Sequence, residues 1–244
     1  MSRPVAIVIG VGPCAGLGAA LARRFAQGGL HVYVGGRTWD KLERVAQAIR
    51  DEGGLAIPHV VDATDEAQVQ TLFQTATTPP NGPLAIVACT VDSNQRAPLL
   101  ETSAELFTAL WRQNAHAGFL VGREAVKYMV PQGSGTVFFT GASASLRARP
   151  PFTAFAAAKS ALRALAQGMA REFGPQGIHV VHVLIDGVID GERARQQFPE
   201  FVAQKGEGGL LDLSAIAEVY WQLHQQPQSA WTHELDLRPY KEPF

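Results

Sequence analysis

The chain has 244 residues, 46% hydrophobic residues and a formal net charge of −1. This length and apolar content suit one domain with a large buried core. The balanced charge gives no electrostatic footprint for nucleic acid or an anionic membrane. The sequence shows no apolar run near the roughly 18 residues of a spanning helix and begins on a strand pattern instead of a signal peptide, so we expect a cytoplasmic protein. Cys14 and Cys89 are too few for a disulfide framework or a zinc site.

Short strands and helices alternate along the whole chain. Val5–Ile9 is a β-branched apolar run closed by Gly10, which is typical of a strand buried on both faces. Residues 17–29 then repeat apolar side chains at helical spacing and stop at a glycine pair. Further strands are predicted at 30–35, 55–61, 84–89, 135–140, 178–185 and 232–238, and further helices at 39–54, 65–76, 103–129, 153–173 and 214–226.

This alternation predicts the fold class. Parallel strands require crossover connections, and intervening helices supply them, so we expect an α/β fold with a doubly wound parallel sheet of about seven strands and helices on both faces. No low-complexity linker interrupts the pattern, so residues 1–244 are predicted to form a single domain. The segment 192–209 is predicted to be a mobile excursion of loop and helix, with an ordinary surface loop as the alternative.

A glycine-rich loop joins the first strand to the first helix. Its members are Gly10, Gly12, Cys14, Gly16, Leu17 and Gly18. Glycines allow the backbone to approach a pyrophosphate closely, and the free amides of the helix that follows point at the phosphates. A bare tight turn is the alternative, but the strand before the loop and the helix after it favour a dinucleotide site.

In these and later motifs the chain resembles the short-chain dehydrogenase/reductase family over essentially its whole length. The matching positions, in order, are Gly12, Gly16 and Gly18 of the glycine motif, Asp62 of the adenine pocket, Asn114 as the helix-kinking catalytic asparagine, and Lys159 of the Y-x-x-x-K pair. The resemblance implies a Rossmann fold, nicotinamide-dependent hydride transfer on a small-molecule substrate, and a homodimer or homotetramer. In that family the lysine also binds the cofactor ribose, and residues 191–211 would cover the substrate.

The end of the second strand indicates which cofactor is bound. A carboxylate there would bind the ribose 2′-hydroxyl of NAD and repel the 2′-phosphate of NADP, but this chain has Gly36. Arg37 follows with a fixed positive charge and a donor fork suited to phosphate, and Thr38 adds a hydroxyl. The sequence therefore predicts NADP(H) in preference to NAD(H), against the alternative of a solvated surface arginine.

The catalytic positions depart from the family pattern. Phe155 stands where the resemblance places the proton-donating tyrosine, and it can neither donate nor accept a proton. Ala142 stands at the usual serine, with Ser143 and Ser145 beside it. The NNAG motif after the fourth strand falls on residues 89–92, and the proline-glycine pair after the sixth strand reads Asp186 and Gly187. Asn114, Lys159, Ser143 and Phe155 are thus the candidate catalytic positions.

Three interpretations of this altered site remain open. In the first, an oxidoreductase acting on a small, moderately apolar carbonyl compound or alcohol uses a substitute donor, with Ser143, Thr153, His116 or Asp186 as candidates. In the second, hydride goes to an activated alkene, where water can complete the reaction. In the third, the protein binds NADP(H) without catalysis and serves as a sensor or an assembly subunit. We favour an enzyme, because Lys159 and Asn114 are both retained.

Overall fold

Seven short segments form the parallel strands of one sheet in the computed structural model, which describes residues 2–242. The strands are β1 Val5–Ile9, β2 His31–Gly36, β3 Leu55–Val60, β4 Leu84–Cys89, β5 Gly135–Ala142, β6 Ile178–Ile185 and β7 Glu234–Leu237. Their order across the sheet is β3-β2-β1-β4-β5-β6-β7, and every neighbouring pair is parallel. The predicted doubly wound sheet is confirmed.

The helices cover both faces of this sheet. They are α1 Leu17–Gln27, α2 Trp39–Asp51, α3 Glu66–Thr77, α4 Ala104–Trp111, α5 Ala117–Met129, α6 Thr153–Phe173, α7 Glu192–Gln197, α8 Pro199–Lys205 and α9 Leu213–His224. One core contains buried side chains of α1, α2 and α9, and a second core contains those of α3, α5 and α6. The strand order reverses between β1 and β4, which opens a crevice at the carboxyl ends of these two strands.

The structure adds detail to two predicted segments. The helix predicted over 103–129 is interrupted by a π-helical turn at Arg112–His116, so α4 and α5 are separate elements. Residues 192–209 were predicted as a loop or helix excursion, and most of them form the short helices α7 and α8. Pro199 occupies the first position of α8, where its fixed φ favours helix initiation, and Ile189 forms a parallel bridge with Leu211 that closes the segment.

The helices of residues 2–242 include none that is both long enough and apolar enough to cross a membrane.

Candidate functional site

The glycine loop after β1 forms an open cradle at the crevice. Gly10 has a φ of +101°, and a Cβ there would lie 2.6 Å from the carbonyl carbon of Thr90, so only glycine fits. A Cβ at Gly12, by contrast, would meet nothing within 4 Å. Gly16 caps α1 with extended backbone and no side-chain hydrogen bond. The first amides of α1 are therefore available to an anion.

The residues predicted to bind the adenosine half of the dinucleotide cofactor lie at the ends of β2 and β3. A Cβ at Gly36 would come within 2.5 Å of the Val11 carbonyl oxygen, so packing against the glycine loop keeps a side chain out of this position. Arg37 and Thr38 follow β2 and are exposed. Asp62 follows β3, and its Oδ1 accepts hydrogen bonds from the Thr64 amide at 2.9 Å and the Thr64 hydroxyl at 2.8 Å.

Lys159 projects from α6 to the carboxyl ends of β4 and β5. Its side chain is 1% exposed, and Nζ lies 3.0 Å from Asp92 Oδ1. Nζ also donates to the Thr140 carbonyl oxygen at 3.1 Å. The centre of the Phe155 ring lies 5.7 Å from Nζ, so the phenyl ring packs beside the ammonium where the resemblance would place a phenol.

Asn114 lies in the π-helical turn between α4 and α5, and it is buried. Its Nδ2 donates to the Leu110 carbonyl oxygen at 2.9 Å and to the Ser93 carbonyl oxygen at 3.1 Å. The Oδ1 atom is buried without a hydrogen-bond partner among the protein atoms of the described residues. The loop after β4 is thus held twice, by Asn114 at Ser93 and by Lys159 at Asp92.

The candidate substitute donors lie in different local environments. Ser143 is partly exposed at the end of β5, while Ser145 is buried and accepts a hydrogen bond from the Ala142 amide at 3.2 Å. Thr153 is exposed at the start of α6. The His116 ring packs against Trp111 and Phe119, side chains that are themselves partly exposed.

Asp186, the fourth candidate donor, follows β6 and belongs to an ion-pair cluster. Its Oδ2 lies 2.7 Å from Arg147 Nη2 and 2.9 Å from Arg238 Nη2. This carboxylate therefore accepts from two guanidinium groups, an arrangement suited to fixing the turns around it rather than to delivering a proton. Within residues 2–242, no group of three or more His, Cys, Asp or Glu side chains could hold a metal ion.

A buried histidine, His182, packs against Gly141 of β5 and pairs with a carboxylate. His182 Nδ1 lies 2.9 Å from Glu234 Oε2, and Glu234 forms a bidentate pair with Arg163 at 2.6 and 2.7 Å. Burial lowers the pKa of His182 to about 4, although the hydrogen bond to Glu234 opposes this shift. The hydrogen bond from Arg163 is the main cause that lowers the pKa of Glu234 to about 2. At neutral pH, His182 is neutral and Glu234 is charged.

The start of α7 lies against the glycine loop. The Glu192 amide donates to the Ala15 carbonyl oxygen at 2.8 Å, and a Cβ at Gly191 would lie 3.0 Å from the same oxygen. One residue further on, Arg193 Nη1 lies 3.6 Å from Asp92 Oδ2. The segment after β6 therefore contacts both sides of the crevice.

Asp92 is the site residue that the sequence reasoning missed. The available signal was the loss of the NNAG pattern at residues 89–92, which places a carboxylate directly after β4. Its partner, however, is 67 positions away along the chain, and only the packing of α6 on the sheet brings Lys159 to it. The Asp186 cluster was missed for the same reason, since its arginines come from two distant turns.

Comparisons with known proteins agree with this geometry. A family model described as short chain dehydrogenase matches residues 4–200. Gluconate 5-dehydrogenase of Gluconobacter oxydans (strain 621H) is 30% identical over 194 residues, which are 80% of this chain and 73% of that protein. The solved structure of a short-chain dehydrogenase from Rhodopseudomonas palustris is 38% identical, with a TM-score of 0.82 over 97% of this chain and 99% of that one.

A more distant solved structure shares the fold. It is a gluconate 5-dehydrogenase from Burkholderia cenocepacia J2315 in complex with NADP and tartrate, 23% identical, with a TM-score of 0.84 over 98% of this chain and 95% of that one.

Proposed function

The chain belongs to the short-chain dehydrogenase family of NAD(P)-dependent oxidoreductases, and from that premise we propose that it uses NADP(H) to interconvert a small, moderately apolar carbonyl compound and its alcohol, or to reduce an activated alkene. The observation that carries this proposal is the buried Lys159, held by Asp92 and by the Thr140 carbonyl oxygen at the carboxyl ends of the central strands. A buried cation is costly unless it is paired, so a lysine held in this way indicates a working site.

The residues at the crevice fit a dinucleotide. The open space at Gly12 and the uncapped amides of α1 suit a pyrophosphate. Asp62 would bind the adenine side, and Cys14, Leu17 and Gly18 would line the loop. The bound nicotinamide supplies hydride transfer, which no protein side chain can perform.

Arg37 supports NADP(H) over NAD(H). Its guanidinium is exposed at the end of β2, beside a position that packing restricts to glycine, so no carboxylate competes for the ribose. A 2′-phosphate would accept two parallel hydrogen bonds from this fork, and Thr38 would add a third. The distant structural neighbour in complex with NADP supports binding of NADP, and the proposed preference over NAD rests on Arg37.

In the absence of the tyrosine, the remaining polar groups of the site would transfer the proton. Lys159 would hold the ribose and place a positive charge beside the reacting oxygen, and the free Oδ1 of Asn114 would accept a hydrogen bond from a water that leads to solvent. Ser143 is the partly exposed hydroxyl nearest the end of β5 and would donate to the substrate oxygen. Phe155 would shape the pocket without exchanging a proton.

Two further features have proposed roles: the segment 191–211 would contact the substrate, and a surface of α4 and α5 would contact another subunit. Phe198 and Phe201 on the covering segment are 53% and 46% exposed, which suits an apolar substrate beneath them. Phe107 and Trp111 on α4 and Phe119 on α5 expose aromatic rings. We assign this aromatic surface to the contact of a homodimer or homotetramer, because monomers seldom leave such patches open.

A second candidate function is NADP(H) binding without catalysis. Phe155 and Ala142 remove both hydroxyls that the family pattern would supply, and Asp186 is engaged by two arginines. Such a protein would bind the cofactor with the same residues and turn over no carbonyl compound or enone. It would act as a sensor or as a subunit of an assembly.

Cofactor titration with Arg37→Ala tests the preference. Because a hydrogen bond to a charged group contributes about 1.5–3 kcal/mol, NADPH affinity should fall about 10- to 100-fold while NADH affinity changes less than twofold. Arg44→Ala is the matched control, since Arg44 is an exposed arginine on neighbouring α2. Equal affinity of the unaltered protein for NADPH and NADH would refute the assignment of Arg37.

A further inference from the structure

We propose that Asp92 is a cofactor-binding residue, which acts with Lys159 as one ion-paired unit that binds the vicinal hydroxyls of the nicotinamide-side ribose. This inference rests on the proposed binding of NADP(H). It assigns a direct role to the carboxylate after β4, beyond the lysine, at a position where the family resemblance expects no charged side chain.

The position of Asp92 in the sheet selects the half of the cofactor that it would contact. Arg37 and Asp62 follow β2 and β3, and the glycine loop follows β1, so the adenosine half and the pyrophosphate would extend over these three strands. The other half of the dinucleotide then extends over β4 and β5. Asp92 and Lys159 meet at the ends of these two strands.

The lysine retains a donor for a ligand. An ammonium has three N–H groups, and within residues 2–242 the hydrogen-bonding atoms in contact with Lys159 Nζ are Thr140 O at 3.1 Å and Asp92 Oδ1 at 3.0 Å. The adjacent Phe155 ring offers no hydrogen-bonding atom. The third N–H of Lys159 is thus available to a ribose oxygen.

The carboxylate retains an acceptor. Asp92 Oδ2 lies 3.6 Å from Arg193 Nη1, which is longer than a hydrogen bond, and the side chain is 36% exposed. The ion pair therefore presents one N–H donor beside one oxygen acceptor. Two adjacent hydroxyls, each able to donate and to accept, match that arrangement.

Electrostatics determine whether the ribose binds to the intact Lys159–Asp92 ion pair or displaces Asp92 from Lys159. Lys159 is 1% exposed, and leaving a buried charge without its partner is strongly unfavourable. Ribose hydroxyls are neutral, so they cannot replace the negative charge of Asp92. The carboxylate consequently stays beside the ammonium when the ribose binds, and removal of Asp92 should weaken binding rather than strengthen it.

The test compares two ligands that differ by the nicotinamide half. NADPH and adenosine 2′,5′-bisphosphate are titrated by calorimetry against the unaltered protein, Asp92→Asn and the control Asp51→Asn, whose side chain is exposed on α2. We expect Asp92→Asn to weaken NADPH binding at least tenfold and to change the affinity for the bisphosphate less than twofold. Asp51→Asn should change neither affinity.

Two further variants cover loss of folding in Asp92→Asn. Asp92→Glu keeps the charge, and the double variant Asp92→Asn with Lys159→Met removes both charges. Both variants should bind the bisphosphate with unchanged affinity. The double variant should lose NADPH affinity at least tenfold. Tighter NADPH binding in the variants that lack the carboxylate, unchanged NADPH binding, or equal weakening of both ligands would each overturn the role of Asp92. Failure of the unaltered protein to bind either ligand would instead refute the proposed function.

Discussion

Replacing His182 by glutamine should reduce the dependence of stability on pH. Burial lowers the folded-state pKa of His182 from 6.5 to about 4. Between these values the unfolded chain binds a proton that the folded protein does not, so the free energy of unfolding falls as pH decreases from 6.5 to 4. A pKa difference of about 2.5, at 1.36 kcal/mol for each pKa unit, corresponds to roughly 3 kcal/mol.

The side chain is fully buried, so solvent screening does not reduce this figure. Glutamine can still donate to Glu234 but does not titrate, and the loss of stability from pH 7 to pH 4 should therefore be about 3 kcal/mol smaller in His182→Gln. Urea unfolding at pH 7.0, 6.0, 5.0 and 4.0 measures this difference. The control His59→Gln, at a half-buried ring on β3, should show a smaller change. Equal pH dependence in His182→Gln and the unaltered protein would refute the reasoning.

Three other substitutions have defined outcomes. Gly141→Ala should lower the free energy of unfolding by about 1–3 kcal/mol in urea titrations, because its Cβ would lie 2.3 Å from His182 Nε2; unchanged stability would contradict the packing described here. Arg163→Ala should lower it by about 1–2 kcal/mol through loss of a bidentate carboxylate pair that is partly exposed, and less at 1 M salt; a salt-independent loss would indicate packing alone. Phe155→Tyr combined with Ala142→Ser should create weak NADPH-dependent ketone reduction if the unaltered protein is inactive. If the unaltered protein is active, the double variant should slow its native reaction. A double variant with the same rate as the unaltered protein would show that these two positions do not contact the reacting groups.

Local patterns predicted the sheet and most helices because each strand and helix is amphipathic or fully apolar by itself. Val5–Ile9, Leu84–Cys89 and Ile178–Ile185 have the predicted bounds, since β-branched runs bounded by glycine or polar residues are unambiguous. The π-helical turn at Asn114 is not visible in the spacing of apolar residues along the sequence, and only the family resemblance indicated a kink. The bounds of the short helices α7 and α8 were not predicted, because six or seven residues are too few to establish a period.

The candidate site was predictable only where a residue acts within a local motif. The glycine loop and Arg37 can be located from the strand and helix next to them. The pairs of Lys159 with Asp92 and of His182 with Glu234 join residues more than fifty positions apart. The first pair forms where α6 packs over the loop after β4, and the second is a cross-strand pair between β6 and β7. No local pattern in the sequence predicts these long-range contacts.

The central claim is that Lys159 supports NADPH-dependent catalysis without a tyrosine beside it. The most direct measurement is the initial rate of NADPH oxidation over a panel of ketones, aldehydes and enones, for the unaltered protein, Lys159→Ala and the control Lys127→Ala, a lysine whose side chain is 60% exposed on α5. We predict turnover of at least one substrate class, a decrease in kcat of about 10²-fold or more in Lys159→Ala, and no change in the control. A protein that binds NADPH yet remains inert across the panel, or turnover that survives Lys159→Ala, would contradict the account.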